Sequence, residues 1–203
     1  MARPCRIVVL ASGSGTNLQA LLDDPSPDWS VVGVVTDRPG VGALERAKAA
    51  GIPREVVAWT DHADREAFTA AIANAAGDFD PDFIVLAGFM RILGPAAIER
   101  FPNRIINIHP SLLPAFKGGR AVRDALDYGV KVTGVTVHFV DEELDHGPII
   151  RQEAVEVLPG DDEATLHARI QRVEHRLLPI AVQGLALGEL EVVGRKVEGR
   201  VSP

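Results

Sequence analysis

The run RIVVLASGSGTNLQALL, Arg6 to Leu22, decides the fold class. Arg6 to Ala11 is almost unbroken in its apolar character, as a strand buried on both faces requires. SGSGT ends that run, and the spacing predicts a helix from about Asn17 to Leu22. A buried strand, a glycine turn and a helix form the opening unit of a parallel α/β sheet. The alternation repeats downstream. Val31 to Thr36 reads as a strand, Gly42 to Ala50 as a helix stopped by Gly51 and Pro53, and Glu55 to Ala58 as a short strand. Asp64 is placed to cap a helix reaching Ala76. Phe83 to Ala87 is the next buried strand, and the apolar Ile105, Ile106 and Ile108 continue the series until Pro110 and Ser111 end it.

The second half changes character. Val132 to Val140 partly alternates, Ile149 to Val157 is again strand-like, and the short DEELDHGP loop between them predicts antiparallel pairing. A long helix is expected from about Asp162, because Leu166, Ile170, Val173, Leu177 and Ala181 make one apolar stripe. Glu191 to Val197 reads as a small terminal strand. No repeat, low-complexity tract or linker divides the 203 residues, so one domain with two halves is expected.

Composition narrows the class. Apolar residues make up 46%, enough for a sizeable core. The net charge of −7 argues against a general nucleic-acid binder. No stretch approaches the roughly 20 apolar residues of a membrane span. Met1 to Leu10 lacks the long apolar run of a signal peptide. The single cysteine, Cys5, excludes an internal disulfide framework and points to a reducing compartment.

Three constellations carry chemistry. Gly13-Ser14-Gly15-Thr16-Asn17 opens a helix after a strand, where free backbone N–H groups and the helix dipole favour a phosphate. It is not a Walker A loop, and Leu18 stands where a third glycine of the dinucleotide fingerprint would be. A plain tight turn is the alternative. Asn107 and His109 are two residues apart on a strand, so both side chains face one way beyond its end. An amide can stabilise an oxyanion and an imidazole can move protons near neutral pH, which suggests carbonyl chemistry. A histidine bonding backbone at a strand end is the alternative. Asp145 lies among four carboxylates in DEELDHGP, but Leu144 and Gly147-Pro148 direct the chain inward there. It could orient the His109 ring or hold a proton-shuttling water. Asp141, Glu142 and Glu143 read as a solvated turn.

Elsewhere the histidines look structural: His62, His146 and His167 as surface loop residues, and His138 as a strand residue. No metal site is expected, since no H-E-x-x-H pair occurs and one cysteine cannot build a cluster. There is no G-x-S-x-G elbow, and Ser111 is expected to brace the turn after Pro110. Met90 to Leu93 follows the FIVLAG strand, where apolar residues can wall a flat ligand or simply pack.

Taken together, VVLASGSGTNLQALL, VLAGFMRIL, INIHPSLLPAF, VTVHFVDEELDHGPII and RVEH resemble the glycinamide ribonucleotide formyltransferases, in order and over essentially the whole chain. INIHPSLLP alone would indicate only the wider formyltransferase group; the SGSGTNL loop points to the ribonucleotide enzymes. The resemblance implies a Rossmann-like α/β formyltransferase fold. Its twisted central sheet would be mostly parallel, with antiparallel C-terminal strands and helices on both faces. It divides the domain, 1–203, into a phosphate-binding half to about residue 100 and a catalytic, folate-binding half beyond. The implied reaction moves the formyl group of 10-formyltetrahydrofolate, a co-substrate, to the amine of phosphoribosylglycinamide in purine biosynthesis.

By position, the resemblance makes Asn107, His109 and Asp145 catalytic. Gly15, Thr16 and Asn17 would hold the ribonucleotide phosphate, and Glu174 its glycinamide end. Arg65 would meet the folate tail. Met90, Arg91, Ile92 and Leu93 would line the folate pocket with Asn107 and the segment Asp141, Glu142, Glu143, Leu144, Asp145. It implies a cytoplasmic monomer or homodimer whose partners are small molecules, with no nucleic acid, membrane or metal. One segment departs from the pattern: after LLPAF, Lys117 to Arg123 (KGGRAVR) carries extra positive charge, either toward phosphate or toward solvent. Two other readings remain open. One is a hydrolase passing the formyl group to water. The other is a non-catalytic nucleotide-binding protein using Gly13 to Asn17 and Asp37.

Overall fold

The computed structural model describes residues 3–199. Met1 and Ala2, at the start of the segment read for a signal peptide, and residues 200–203 lie outside the described residues, so the ends of the expected 1–203 unit do too. Nine strands form one sheet among the described residues. They are β1 (Cys5–Ala11), β2 (Trp29–Thr36), β3 (Arg54–Val56), β4 (Phe83–Leu86), β5 (Ile105–His109), β6 (Val132–Phe139), β7 (Ile149–Glu156), β8 (Leu190–Val193) and β9 (Lys196–Gly199). Their order is β3-β2-β1-β4-β5-β6-β7-β9-β8. β1 to β5 are parallel, and β6 runs antiparallel to both β5 and β7. This is the mostly parallel sheet with antiparallel later strands that the sequence predicts.

Alternation along β1 divides the core in two. Ile7, Val9 and Ala11 face α1 (Thr16–Leu22), α2 (Gly42–Ala49), α5 (Ala121–Tyr128) and α6 (Glu163–Ala186). Val8 and Leu10 face α3 (Arg65–Gly77) and α4 (Pro95–Arg100) on the other side. Both faces being covered explains why β1 has no polar side in sequence. On α6, Leu166, Ile170, Leu177 and Ala181 are fully buried, and Val173 packs at the rim. Each large buried side chain contributes about 1.5–3 kcal/mol relative to exposure. Asp162 caps α6 through Thr165 N at 2.8 Å, and Asp64 caps α3 through Ala67 N at 2.9 Å.

Two expectations need correction, and two short helices answer to none. The Lys117 to Arg123 segment is not loop throughout, because α5 begins at Ala121 and buries Ala121, Val122 and Ala125 on one face. α4 was not legible, since its six residues bury only Ala97 and give no periodic stripe. Glu191 to Val197 is not one strand; Gly194, at φ 60, folds it into the β8–β9 hairpin. His167 is exposed on α6 rather than in a loop.

Strand order reverses direction between β1 and β4: the chain builds β2 and β3 to one side, then β4 and β5 to the other. Loops leaving the carboxyl ends of the strands diverge at such a switch point and leave a crevice where ligands bind. The loops after β1, β4 and β5 carry Gly13 to Asn17, Met90 to Leu93 and the segment beyond His109.

Candidate active site

A cavity of about 320 Å³ opens at the carboxyl ends of β4 and β5. Asn107 and His109 both line it, as their i, i+2 spacing on β5 requires. β6 runs antiparallel beside them, and its register puts His138 directly opposite Asn107. Cross-strand neighbours share a face, so His138 enters the same cavity. In sequence His138 looks like a structural strand residue. The available signal was the register of β6 on β5, because a histidine opposite Asn107 must share its side of the sheet.

Asp145 joins from the β6–β7 loop. Its φ of 47 is left-handed, a conformation that Asp and Asn tolerate better than most residues. Its carboxylate is almost buried, with 9% of the side chain exposed. Oδ2 accepts from Gly118 N at 2.7 Å and lies 3.4 Å from His109 Nδ1. Oδ1 accepts from Asn107 Nδ2 at 3.4 Å and lies 3.8 Å from His138 Nε2. One carboxylate thus touches all three other polar side chains of the cluster.

The hydrogen bonds fix ring states. His138 Nδ1 donates to the Phe139 carbonyl at 2.7 Å, which leaves Nε2 as an acceptor for Asn107 Nδ2 at 3.2 Å. Burial lowers the His138 pKa, outweighing the Phe139 carbonyl and the Asp145 charge, so the ring stays neutral in this role. His138 therefore orients the Asn107 amide. His109 differs: Nε2 faces the Phe116 carbonyl at 2.9 Å while Nδ1 faces Asp145. Each ring nitrogen thus faces an oxygen, and a hydrogen on Nε2 points to the Phe116 carbonyl. Ser111 Oγ donates to Ala115 O at 2.6 Å, bracing the turn that brings Phe116 to His109.

Met90, Arg91, Ile92 and Leu93 line the cavity, together with all of Asp141, Glu142, Glu143, Leu144 and Asp145. Glu142 and Glu143 are exposed, while Asp141 holds His146 Nδ1 at 2.8 Å, so His146 is tied to the loop. Arg65 does not line the cavity. It is exposed on the first turn of α3, one turn before Phe68, which stacks on the wall residue Phe89. In the departing segment, Arg120 pairs with Asp124 at 3.8 Å, and Arg123 with Asp127 at 3.3 Å and Glu163 at 3.7 Å, all on the surface. Its extra charge goes to solvent.

The glycine loop adjoins this cavity. Ser12 N donates to Gly88 O at 3.1 Å, and Met90 N donates to Ser12 Oγ at 2.8 Å. Gly15 is the N-cap of α1 at φ 73, and no side chain caps that helix. A Cβ at Gly15 would stand 2.7 Å from Ala43 Cα, so glycine is required there. Asn17 is buried, and its Nδ2 donates to Glu174 Oε2 at 3.1 Å, while its Oδ1 has no partner. Burial raises the Glu174 pKa against the opposing bond from Asn17. The structure thus brings Asn17 and Glu174 together, 157 residues apart in the chain. Thr16 lines a larger open groove of about 620 Å³ between α1 and α6 that contains none of Asn107, His109 or Asp145.

Residues 5–182 match the formyl transferase family model. The chain belongs to the formyl transferase family. It is 52% identical to the phosphoribosylglycinamide formyltransferase of Mycobacterium tuberculosis, over 95% of this chain and 90% of that protein. Against the trifunctional purine biosynthetic protein adenosine-3 of Bos taurus it is 44% identical over 94% of this chain, matching 19% of that longer protein. The fold agrees with a crystal structure of glycinamide ribonucleotide transformylase 1 from Symbiobacterium toebii, with a TM-score of 0.95 and 46% identity, covering 98% of this chain and 95% of that one. Among the described residues of this formyl transferase, no helix is long and apolar enough to cross a membrane.

Proposed function

We propose that this formyl transferase moves the formyl group of 10-formyltetrahydrofolate to the amine of phosphoribosylglycinamide, yielding tetrahydrofolate and the formylated ribonucleotide for purine synthesis. The observation that carries this reading is the Asp145 carboxylate bridging Asn107, His109 and His138 in one cavity beside the glycine loop. Family membership and the named relatives supply the substrate class.

In this reading Met90 to Leu93 and Asp141 to Asp145 wall the formyl folate and leave its formyl carbon at the polar floor. Arg65, outside the cavity, meets the tail. Gly15, Thr16 and Asn17 hold the ribonucleotide phosphate, and Glu174 approaches the glycinamide end through Asn17. The two substrates draw on residues from both halves of the chain, so the unit proposed is one domain over 1–203.

Each residue then has a task. Asn107 turns the Nδ2 hydrogen it gives Asp145 at 3.4 Å to the oxygen on which negative charge develops when the amine adds to the formyl carbon, and His138 steadies the amide by accepting the other. The formyl oxygen takes over the His109 Nε2 hydrogen from the Phe116 carbonyl. Preorganised donors of this type contribute about 100- to 1000-fold each. Asp145 accepts the proton shed by the attacking amine, through water, and passes one to the leaving folate nitrogen. Holding both substrates in line supplies much of the rest. No side chain is asked to act as a nucleophile. Reaction partners are small molecules, the protein works in the cytoplasm as a monomer or homodimer, and no metal takes part.

The dinucleotide-binding reading loses its acid: Asp37 is fully buried and bonded to Arg91 Nε at 2.8 Å, so it does not face a ribose. An absorbance assay of folate release tests the proposal against the hydrolase. Release should require the ribonucleotide; release at full rate without it overturns the proposal.

A further inference from the structure

Asp37 is not part of the polar cluster just described, yet it is the acid at the centre of a second one. It follows β2 directly, and its side chain is 0% exposed. Such a carboxylate is costly to bury unless it is paired. Burial would raise its pKa, but the Ser12 hydroxyl and the Arg91 and Arg38 guanidinium groups outweigh that and hold it below the ordinary value. Oδ2 accepts from Arg91 Nε at 2.8 Å, while Oδ1 makes no hydrogen bond and lies 3.6 Å from Arg38 Nε. The Asp37 carbonyl accepts from Trp59 N at 3.1 Å. Arg91 closes the triangle, with its guanidinium carbon 4.8 Å from the centre of the Trp59 ring. Trp59 then packs edge-on against Phe68 at 4.9 Å, and Phe68 stacks on Phe89 at 6.4 Å.

Phe89 and Arg91 lie on the strip that walls the cavity, and Met90 and Ile92 between and beyond them are exposed at 61% and 49%. Exposed apolar side chains on a loop hold a position only if the loop is pinned. Ser12 Oγ on Met90 N, Thr69 Oγ1 on Gly94 N and the buried Phe89 and Leu93 hold the two ends of the strip. Between them, Asp37 on Arg91 is the side-chain pin that sets the middle of the strip against Trp59.

We propose that Asp37 is a positioning residue for formyl-folate binding: by holding Arg91 against Trp59 it sets the strip from Phe89 to Leu93 in the shape that meets the folate ring. It touches neither substrate, and the proposal rests on the formyl-transfer reading for the identity of the ligand. Asp37→Asn keeps the shape and removes the charge. Calorimetric Kd for 10-formyltetrahydrofolate alone should weaken about tenfold, while Kd for the ribonucleotide and kcat at saturation stay within about twofold. Adding Asp37→Asn to Arg91→Met should weaken folate binding no further than Arg91→Met alone. An unchanged folate Kd, or equal loss for both substrates and for melting temperature, overturns the proposal. Should Asp37→Asn fail to fold, Trp59→Leu keeps the ion pair and removes the ring; about a threefold weakening for folate alone is expected, and none overturns the proposal. If the wild type binds formyl folate but transfers nothing, the formyl-transfer reading fails while the Asp37 assignment is still decided by Kd. A wild type that does not bind formyl folate overturns both.

Discussion

Asp145→Asn is the most informative single change. Asn tolerates the left-handed φ of 47 at this position, so the backbone of the loop stays in place. Gly118 N, at 2.7 Å, demands an acceptor, so the amide oxygen of the new side chain takes the Oδ2 position. The amide nitrogen then falls at the Oδ1 position, facing the Asn107 Nδ2 donor, and a donor meets a donor. The charge opposite His109 Nδ1, at 3.4 Å in a site with 6% and 9% of the two side chains exposed, is lost. A hydrogen bond to a charged group contributes about 1.5–3 kcal/mol, so stability should fall by no more than that. Catalysis should lose more, because the carboxylate proposed to carry the proton between the two nitrogens is gone. General acid–base groups contribute about 100- to 10,000-fold, and kcat is expected to drop about 1000-fold. Ribonucleotide KM should stay within about threefold, since Asp145 makes none of the contacts at the glycine loop. Steady-state kinetics with a melting curve on the same sample give both numbers. A purified, folded variant with kcat within about tenfold of wild type would refute the proton-transfer role.

Three further changes probe other parts of the account. Gly15→Ala forces a Cβ to 2.7 Å from Ala43 Cα at φ 73, so ribonucleotide KM should rise about tenfold or more with folate KM nearly unchanged; parallel rises in both would contradict a phosphate loop. Glu174 has a raised pKa from burial, so the folded state holds its proton more tightly than the unfolded one and wild type loses stability as pH rises from about 4.5 through the folded value. Glu174→Gln should therefore melt like wild type near pH 4.5 and above it near neutrality; a gain independent of pH would show that burial of the charge is not the cause. Burial pushes the Cys5 thiol up to about 11 from 9.0, so labelling by a disulfide reagent near pH 8 should run about 100-fold slower than for a free thiol, and equal rates would contradict it.

The elements legible in the sequence were those whose burial leaves a periodic trace. β1, buried on both faces from Ile7 to Ala11, shows there as an unbroken apolar run, and α6 shows as a stripe from Leu166 to Ala181. α4 and α5 are six and eight residues long and bury too few side chains to stand out from charged surroundings. The β8–β9 hairpin depends on one glycine at positive φ, a backbone property with no hydrophobic signature. In the cavity, Asn107 and His109 were readable because strand geometry alone puts i and i+2 together. Asp145 was singled out by the residues flanking it. His138 was missed because its place depends on the register of β6 against β5, which pairs residues 31 apart. Asp37 shows the same limit: its partner Arg91 lies 54 residues away, and only the fold shows that its carboxylate is already taken.

The most direct test of the central claim follows the carbon itself. In a single turnover, the enzyme is mixed with phosphoribosylglycinamide and 10-formyltetrahydrofolate labelled with ¹³C in the formyl group, quenched, and its products are resolved by mass spectrometry. The label should appear on the ribonucleotide in step with tetrahydrofolate formation, with little free formate. Label recovered as formate, with the ribonucleotide unmodified, would contradict it.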